Sequence, residues 1–277
     1  MTTLAPDAVA ADLRELYLHL LKHALSDTIH RHTVSMAQKG MEMHLLTVTH
    51  PRLRGEDWPA LAETMAGIKR LDNVQTCIES VLADDVPGDL IETGVWRGGT
   101  TIFMRGVLKA HGVADRDVYV ADSFAGLPLP DTTHYPQDAK MILHEIPYLA
   151  VEIAEVQQNF QKYALLDEHV KFVKGFFRDT LPSLRGHCWS VVRLDGDMYE
   201  STMDGLVNLY PGLSVGGYVI LDDYYHLPEC RQAVDDYRAR HQIHEEIRRV
   251  DNYSAFWRKT TLVAGLHNDP RAVRQTG

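Results

Sequence analysis

The chain has 277 residues, of which 45% are hydrophobic and 24% charged, a composition typical of a globular protein that buries its core in one large domain or in a domain with a smaller region attached. Acidic residues outnumber basic ones by 38 to 28, and the resulting net charge of −10 disfavours nucleic acid and anionic membranes as partners, because both are bound by basic surfaces. The three cysteines are scattered and form no CxxC pair, which disfavours a disulfide framework or a zinc site and fits a reducing compartment.

Residues 1–85 are predicted to form a helical extension without strands. The first residues lack the positive charge of a secretory signal, and no run of about 18 uncharged apolar residues follows, so we expect a cytoplasmic protein with no membrane span. Apolar residues recur at helical spacing in one helix capped by Asp12 and in a second over residues 61–81. The residues expected to face the core are Leu13, Leu16, Leu20 and Ala24 in the first helix, and Met65, Ile68, Leu71, Val74, Ile78 and Leu82 in the second.

Histidine is abundant near the N-terminus, where His19 and His23 have the i, i+4 spacing of some metal ligands. No third ligand accompanies them, so we interpret them as exposed residues or contacts within an oligomer. The apolar N-terminal helices are expected to mediate self-association into a homo-oligomer.

Short apolar runs alternate with helical stretches from Gly88 onward, which predicts an α/β domain with a mostly parallel sheet over residues 86–265, followed by a tail over 266–277. Crossover connections place the carboxyl ends of such strands at one edge, where ligands bind. The predicted strands are residues 89–92, 118–121, 170–173, 190–194 and 218–221, and a last antiparallel hairpin is predicted from 255–257 and 261–264.

A long connection over residues 124–149 interrupts this alternation directly after the second predicted strand. It contains Pro128, Pro130, Pro136 and Pro147. Because connections of this length inside compact domains are usually functional, we interpret it as a lid.

The first strand of the domain runs into a glycine-containing turn over residues 92–100, which would let a ligand approach the backbone closely. Trp96 stands where a dinucleotide-binding GxGxxG motif needs its second glycine, and this disfavours a nicotinamide-dependent oxidoreductase. Glu92 would repel phosphates and suits the cationic S-adenosylmethionine, although a plain strand–helix turn is the alternative. The candidate cofactor-binding residues of this turn are Glu92, Thr93, Gly94, Arg97, Gly98 and Thr100.

The ends of the second and third strands carry further candidates for binding the cofactor. Asp122 is suited to accept the hydrogen bonds of a ribose diol. Gly175, with Phe176 or Phe177, could flank an adenine face, although both rings could equally belong to the core.

Four aspartates follow the fourth and fifth strands, namely Asp195, Asp197, Asp222 and Asp223. The intervening segment suits one crossover helix, so the two strand ends should be neighbours and the carboxylates should converge. Like charges that close require a shared cation or proton, and oxygen ligands select a hard cation such as Mg²⁺. Alternatively, Asp197 caps a helix and Asp223 points into water. His226 either lines this site or closes a turn.

These segments closely resemble the macrocin O-methyltransferase family, which includes noviose- and mycinose-pathway sugar O-methyltransferases of antibiotic biosynthesis. The resemblance covers roughly residues 55–260. It implies a class I methyltransferase-like Rossmann sheet, with S-adenosylmethionine and Mg²⁺ as cofactors and a deoxysugar hydroxyl of a glycosylated small molecule as acceptor. The segments that carry it are EDWPALAETMAGIKRLDNVQTCIESVLADDVPGD, GDLIETGVWRGGTTIF, VADSFAGLPLPD, NFQKYALLDEHVKFVKGFFRDTLP, RLDGDMYEST and YPGLSVGGYVILDDY.

The resemblance also implies roles for individual residues. Asp197 would be the general base. The metal would be held by Asp195, Asp222 and Asp223, and the cofactor by Glu92, Gly94, Asp122, Ser123 and Gly175, approached by Thr64 and Met65 from the preceding helix.

Two other classes of function remain as alternatives. A metal-dependent O-methyltransferase of a catechol or other phenol would use the same ion and a similar sheet, but a phenol ionises more easily and needs a weaker base. A binding protein with a degenerate site is disfavoured, because every acidic residue of the candidate site is present.

Overall fold

The N-terminal part of the molecule combines helices with a small antiparallel sheet, in a computed structural model that describes residues 6–30, 32–39, 42–48 and 50–262. Strand β1 lies between β2 and β3 in this sheet. The elements are α1 (Pro6–Leu25), β1 (Thr33–Lys39), β2 (Glu42–Val48), α2 (His50–Arg54), β3 (Trp58–Pro59) and α3 (Ile68–Ala83).

The prediction of an extension without strands is therefore wrong between residues 33 and 59. Burial alternates along the start of β1, where Thr33 and Ser35 are buried and Val34 and Met36 only partly so. The two inward residues are polar, so hydrophobic alternation, the sequence signal of a half-buried strand, is missing here.

Helix α1 turns a different face to the core from the one predicted. Leu18, Leu21 and Leu25 are buried, whereas the predicted core residues Leu13 and Leu16 are 59% and 53% exposed, and Leu20 is also exposed. The helix begins at Pro6, so Asp12 lies within it and is not its cap. Leu21 packs closely against Gly106 of α4, where a side chain would not fit, because a Cβ on Gly106 would lie 2.4 Å from Leu21 Cδ2. This contact fixes which face of α1 is turned to the core.

Helix α3 begins at Ile68, later than predicted, because residues 61–67 form an irregular segment. Arg52 binds that segment, donating from Nη2 to the carbonyl oxygens of Met65 at 2.6 Å and Ala66 at 3.0 Å. Thr64 and Met65 therefore lie on a loop and not on the predicted helix.

A seven-stranded sheet forms the centre of the molecule, in the order β6-β5-β4-β7-β8-β10-β9. Strands β4 to β8 are mutually parallel, and β10 and β9 are antiparallel to their neighbours. The elements are β4 (Asp89–Thr93), α4 (Gly99–Ala110), β5 (Val118–Asp122), α5 (Ile153–Lys162), β6 (Val170–Lys174), α6 (Phe177–Thr180), β7 (Trp189–Leu194), α7 (Tyr199–Leu209), β8 (Leu213–Leu221), α8 (Pro228–Arg240), β9 (Arg248–Arg249) and β10 (Ala255–Arg258).

This topology confirms the five predicted parallel strands and the antiparallel last strand, but not the predicted terminal hairpin. Strand β10 pairs with β8 and β9 instead. Thr261 and Leu262 are not in a strand, and residues 263–277, with the predicted tail, lie outside the described residues.

The sheet reverses its direction of winding at β4, which lies between β5 and β7. Thr93 at the end of β4 is in register with Ala121 and Leu194, and Leu194 is in register with Leu221. The residues that follow these four therefore meet at one edge, at the switch point where open α/β sheets bind ligands.

The predicted lid over residues 124–149 crosses this edge and contains three short 3-10 turns, Pro136–Lys140, Leu143–Glu145 and Pro147–Leu149. No helix among the described residues is long and apolar enough to cross a membrane.

Candidate active site

A cavity of about 270 Å³ opens at the carboxyl edge of the parallel strands. Its walls come from residues 55–67, which we call the N-terminal loop, the glycine turn after β4, the lid, and the segments after β6, β7 and β8. The predicted site residues that line it are Thr64, Met65, Glu92, Gly94, Thr100, Asp122, Ser123, Phe176, Asp195, Asp197, Asp222 and Asp223.

Four predicted cofactor residues do not line the cavity and instead support its walls. Thr93 is buried in β4. Arg97 donates to the carbonyl oxygens of Ala60 and Ala62, both at 3.0 Å. Gly98 precedes α4 with φ +85°, and Gly175 follows β6 with φ +143°.

The glycine turn passes very close to the neighbouring strand end. Gly94 has φ +81°, and a Cβ on it would lie 1.7 Å from the carbonyl oxygen of Asp195. Asp122 holds the turn from the other side, because its Oδ2 accepts hydrogen bonds from the backbone N–H of Val95 at 2.8 Å and of Trp96 at 3.4 Å. The turn is thus fixed between two strand ends, with its backbone facing the cavity.

Glu92 lies at the floor of the cavity and is almost completely buried. Its Oε1 accepts a hydrogen bond from Arg193 Nη1 at 2.5 Å, and its Oε2 accepts one from the Thr101 hydroxyl. Burial raises the pKa of Glu92 to about 7, although Arg193 opposes this shift. The ion pair with Arg193 neutralises the charge of Glu92 that was predicted to attract a cationic ligand. Binding of the cofactor by Glu92 therefore stays a prediction.

Three carboxylates converge beside the glycine turn, as the sequence predicted for this strand pair. We call Asp195, Asp197 and Asp223 the aspartate triad, since one oxygen of each lies within 4.8 Å of the others. Burial and, after it, the neighbouring negative charges raise the pKa of Asp195 to about 6 and that of Asp197 to about 8, and raise the pKa of Asp223 well above its ordinary value. Raised pKa values mean that these three carboxyls do not all ionise without a positive charge nearby. A cluster of oxygen ligands of this kind fits a hard divalent cation such as Mg²⁺.

Asp222, the fourth predicted carboxylate, lines the cavity but is engaged by two arginines. Its Oδ2 accepts a hydrogen bond from Arg70 Nη1 at 2.7 Å, and its Oδ1 accepts one from Arg193 Nη2. Burial favours the neutral carboxyl, but these two ion pairs hold the pKa of Asp222 below its ordinary value. Arg193 also pairs with Asp195 at 2.8 Å and so connects Asp222 to the cluster. Which of the four carboxylates hold a metal stays a prediction.

Tyr148 fastens the lid to both of the neighbouring walls. Its ring stacks on Trp58 with a centroid distance of 5.4 Å, and its hydroxyl donates to the carbonyl oxygen of Pro59 at 2.5 Å. Its own carbonyl oxygen accepts a hydrogen bond from Trp96 Nε1 at 3.0 Å. The lid therefore bridges the N-terminal loop and the glycine turn.

Sequence reasoning missed several residues of the site. Arg70 and Tyr253 line the cavity, as do Glu200 and Asp204 of α7. The buried Arg193 had a usable signal, since a charged residue inside the apolar run 189–194 requires a partner. The other missed residues lie on helices or loops, where the sequence pattern gives no indication that a side chain faces the site.

The histidines singled out in the sequence differ in their positions. His226 lines the cavity, with its ring 4.2 Å from that of Tyr253, and its backbone N–H also closes a turn to Asp223. His19 and His23 lie ring to ring at 4.4 Å on α1. Among the residues that the structure describes, the aspartate triad is the one group with the spacing of a metal site.

The sequence matches the family described as Macrocin-O-methyltransferase (TylF) over residues 14–259. It is 49% identical over 261 residues to the 8-demethyl-8-(2,3-dimethoxy-alpha-L-rhamnosyl)-tetracenomycin-C 4'-O-methyltransferase of Streptomyces olivaceus, covering 91% of this chain and 96% of that protein. It is 49% identical to the demethyldecarbamoylnovobiocin O-methyltransferase of Streptomyces niveus, over 88% and 94% of the two chains, and 48% identical to the mycinamicin III 3''-O-methyltransferase of Micromonospora griseorubida, over 89% and 97%.

Solved structures show the same architecture. The O-methyltransferase NovP superposes with a TM-score of 0.83 at 48% identity, covering 90% of this chain and 100% of that one. The calicheamicin methyltransferase CalS11 superposes with a TM-score of 0.55 at 20% identity, over 69% and 79% of the two chains, which shows a shared fold alone.

Proposed function

The chain belongs to the macrocin-O-methyltransferase family and is an O-methyltransferase with the predicted class I methyltransferase-like sheet, and we propose that it transfers the methyl group of S-adenosylmethionine to a hydroxyl of a deoxysugar in a glycosylated natural product, with Mg²⁺. The acceptor class rests on three relatives, at 48–49% identity over almost their whole length, that are named for O-methylation of antibiotics. The observation in the fold that carries the proposal is the aspartate triad beside the glycine turn.

The glycine turn and the end of β5 suit the cofactor. A side chain on Gly94 would collide with the carbonyl oxygen of Asp195, so glycine is what lets the turn run close beside the strand end that carries the aspartates. Trp96 stands where the pyrophosphate-binding fingerprint needs a glycine. Asp122 accepts two hydrogen bonds at each carboxylate oxygen, but one of each pair, from the Trp96 N–H and from the Ser123 hydroxyl, is long at 3.4 Å, so a ribose hydroxyl could take its place.

The aspartates suit a cation and a base. We assign Asp195, Asp222 and Asp223 to Mg²⁺, since the spare acceptor positions of Asp222 let it serve a cation while it keeps its arginines. Bound Mg²⁺ would fix and acidify a sugar hydroxyl. Asp197, which lies beside Asp195 and Asp223, would take the proton from that hydroxyl, and burial gives it the raised pKa of a group that accepts protons readily.

The surrounding walls position the reactants. Alignment of an attacking oxygen with a methyl group can supply roughly 7–11 kcal/mol of the barrier reduction. The lid and the N-terminal loop close over the cavity through Tyr148 and would exclude water.

Methyl transfer from radiolabelled S-adenosylmethionine to a panel of deoxysugar glycosides and catechols tests the proposal. We expect transfer to a glycoside, loss of activity after treatment with a chelator, and recovery with Mg²⁺. Asp197→Asn should bind both substrates and lose most of the rate. Full activity with the chelator would refute the role of the metal, and transfer to catechols alone would refute the sugar acceptor. A cytoplasmic location and a homo-oligomer stay predictions.

A further inference from the structure

A residue of the lid caps helix α7, which follows the loop that carries Asp195 and Asp197. Asp138, in the turn Pro136–Lys140, is completely buried. Its Oδ1 accepts a hydrogen bond from the backbone N–H of Tyr199 at 2.7 Å, and its Oδ2 accepts one from that of Glu200 at 3.0 Å. Both donors belong to the first turn of α7, so the two carboxylate oxygens hold two of the amide groups that a helix start leaves unpaired.

This cap comes from a distant part of the chain because the local sequence does not provide one. Met198 occupies the N-cap position of α7, and its thioether makes no capping hydrogen bond. Side-chain oxygens of Ser, Thr, Asn or Asp usually fill this role, and a carboxylate also interacts favourably with the positive end of the helix dipole. The start of α7 is therefore completed only when the lid lies against it.

The capped turn is continuous with the proposed general base. Asp197 lies two residues before Tyr199 and has φ +58°, a backbone conformation that residues with a Cβ rarely adopt. The Met198 N–H donates to the carbonyl oxygen of Gly196 at 2.5 Å, so the link from Asp197 to α7 is a tight turn. A shift of the first turn of α7 would move Asp197 relative to Asp195 and Asp223.

The lid reaches the cavity on both sides of Asp138. Leu127 lines the cavity before it in the chain, and Leu143 and Leu149 line it after. Contacts between a ligand and these residues would favour the closed lid, and the closed lid brings Asp138 to the helix.

We propose that Asp138 is a positioning residue: by capping α7 from the lid, it couples closure of the lid to the placement of Asp197. This inference rests on the proposed function, because it supposes that Asp197, which the cap positions, is the base of that reaction.

Amide hydrogen exchange tests the cap without any measurement of activity. In Asp138→Ala, hydrogen exchange at the Tyr199 and Glu200 amides should accelerate by about tenfold, which is the fold-change that corresponds to losing the stabilisation by a typical N-cap. Asp138→Asn, which keeps one acceptor oxygen, should retain much of the protection. Asp131→Ala is the matched control, since Asp131 lies on the same lid but accepts hydrogen bonds from Thr133 and His134 within its own exposed turn. Unchanged exchange in Asp138→Ala would overturn the proposal.

Steady-state kinetics with a double-mutant cycle test the coupling to Asp197. Asp138→Ala should lower kcat by about tenfold at a temperature where it is fully folded, with a much smaller change in the KM for S-adenosylmethionine. The same substitution made in Asp197→Asn should produce no further loss, because both changes act on one group. Multiplicative losses, or a normal kcat in Asp138→Ala despite faster exchange, would overturn the coupling. A wild-type protein that transfers no methyl group would instead refute the proposed function, and the exchange result would stand.

Discussion

Arg70 of α3 donates a hydrogen bond from Nη1 to Oδ2 of Asp222, which follows β8, over 2.7 Å. The same guanidinium donates from Nε to Asp251 at 2.9 Å and from Nη2 to the carbonyl oxygen of Gly55 at 2.7 Å. Although burial opposes its charge, these carboxylates raise the pKa of Arg70. One buried cation thus joins the N-terminal loop, the edge of the central sheet and the segment before β10.

We expect Arg70→Ala to destabilise the protein by about 3–5 kcal/mol, because it leaves the carboxylate of Asp222 buried with one partner fewer. Thermal or urea unfolding measures this loss. Arg248→Ala is the control, since Arg248 is exposed and pairs with Glu246 at 3.4 Å, and it should change stability by less than about 1 kcal/mol. If both variants unfold alike, the ion pairs of Arg70 do not contribute as described.

We expect Gly94→Ala to abolish cofactor binding, because the new Cβ would collide with the carbonyl oxygen of Asp195 at the strand end. Gly112→Ala separates this collision from backbone strain. Gly112 also has positive φ, +69°, but a Cβ there has no neighbour within 4 Å, so its cost should be the strain of about 1–2 kcal/mol alone. Calorimetric titration with S-adenosylhomocysteine measures binding. Comparable affinity in the two variants would mean that the close approach at Gly94 does not shape the cofactor site.

The central sheet could be predicted because its parallel strands are short apolar runs, and the position of the aspartates follows from the ends of those strands. The rotation of α1 could not, because both of its faces carry leucines and only packing against Gly106 selects Leu21. The pairing of Asp222 depends on Arg70, which is distant in sequence. Helix α8 was not predicted, since few of its residues are apolar and buried.

We expect Tyr148→Phe to loosen the lid while preserving the stacking on Trp58. The substitution removes the hydroxyl that donates to Pro59, a loss of about 1 kcal/mol, and should raise the rate of proteolytic cleavage between residues 124 and 149 several-fold. Tyr163→Phe serves as the control, because its hydroxyl bonds to Glu63 at 2.8 Å and lies outside the lid. Equal protection of the lid in wild type and Tyr148→Phe would show that this contact does not hold it closed.

The stabilising effect of Mg²⁺ should grow as the pH rises. A carboxyl whose pKa is raised in the folded state binds protons more tightly there than in the unfolded chain, so between its ordinary value of 3.8 and the folded value it stabilises the fold less as pH increases. For Asp197 that window extends to about pH 8 and for Asp195 to about pH 6. A cation requires the ionised form and therefore relieves this cost most above the window.

We accordingly expect the gain in Tm from added Mg²⁺ to increase from about pH 6 to about pH 8.5, with release of protons on binding. Asp197→Asn should flatten this dependence, because Asp197 lies beside the assigned ligands Asp195 and Asp223 and a bound cation would also favour its ionised form. Asp204→Asn is the matched control, because burial raises the pKa of Asp204 to about 6 as well, but Asp204 lies outside the aspartate triad. Thermal unfolding with and without Mg²⁺ across this range gives the comparison. A gain that is independent of pH would show that Mg²⁺ does not bind beside these carboxyls.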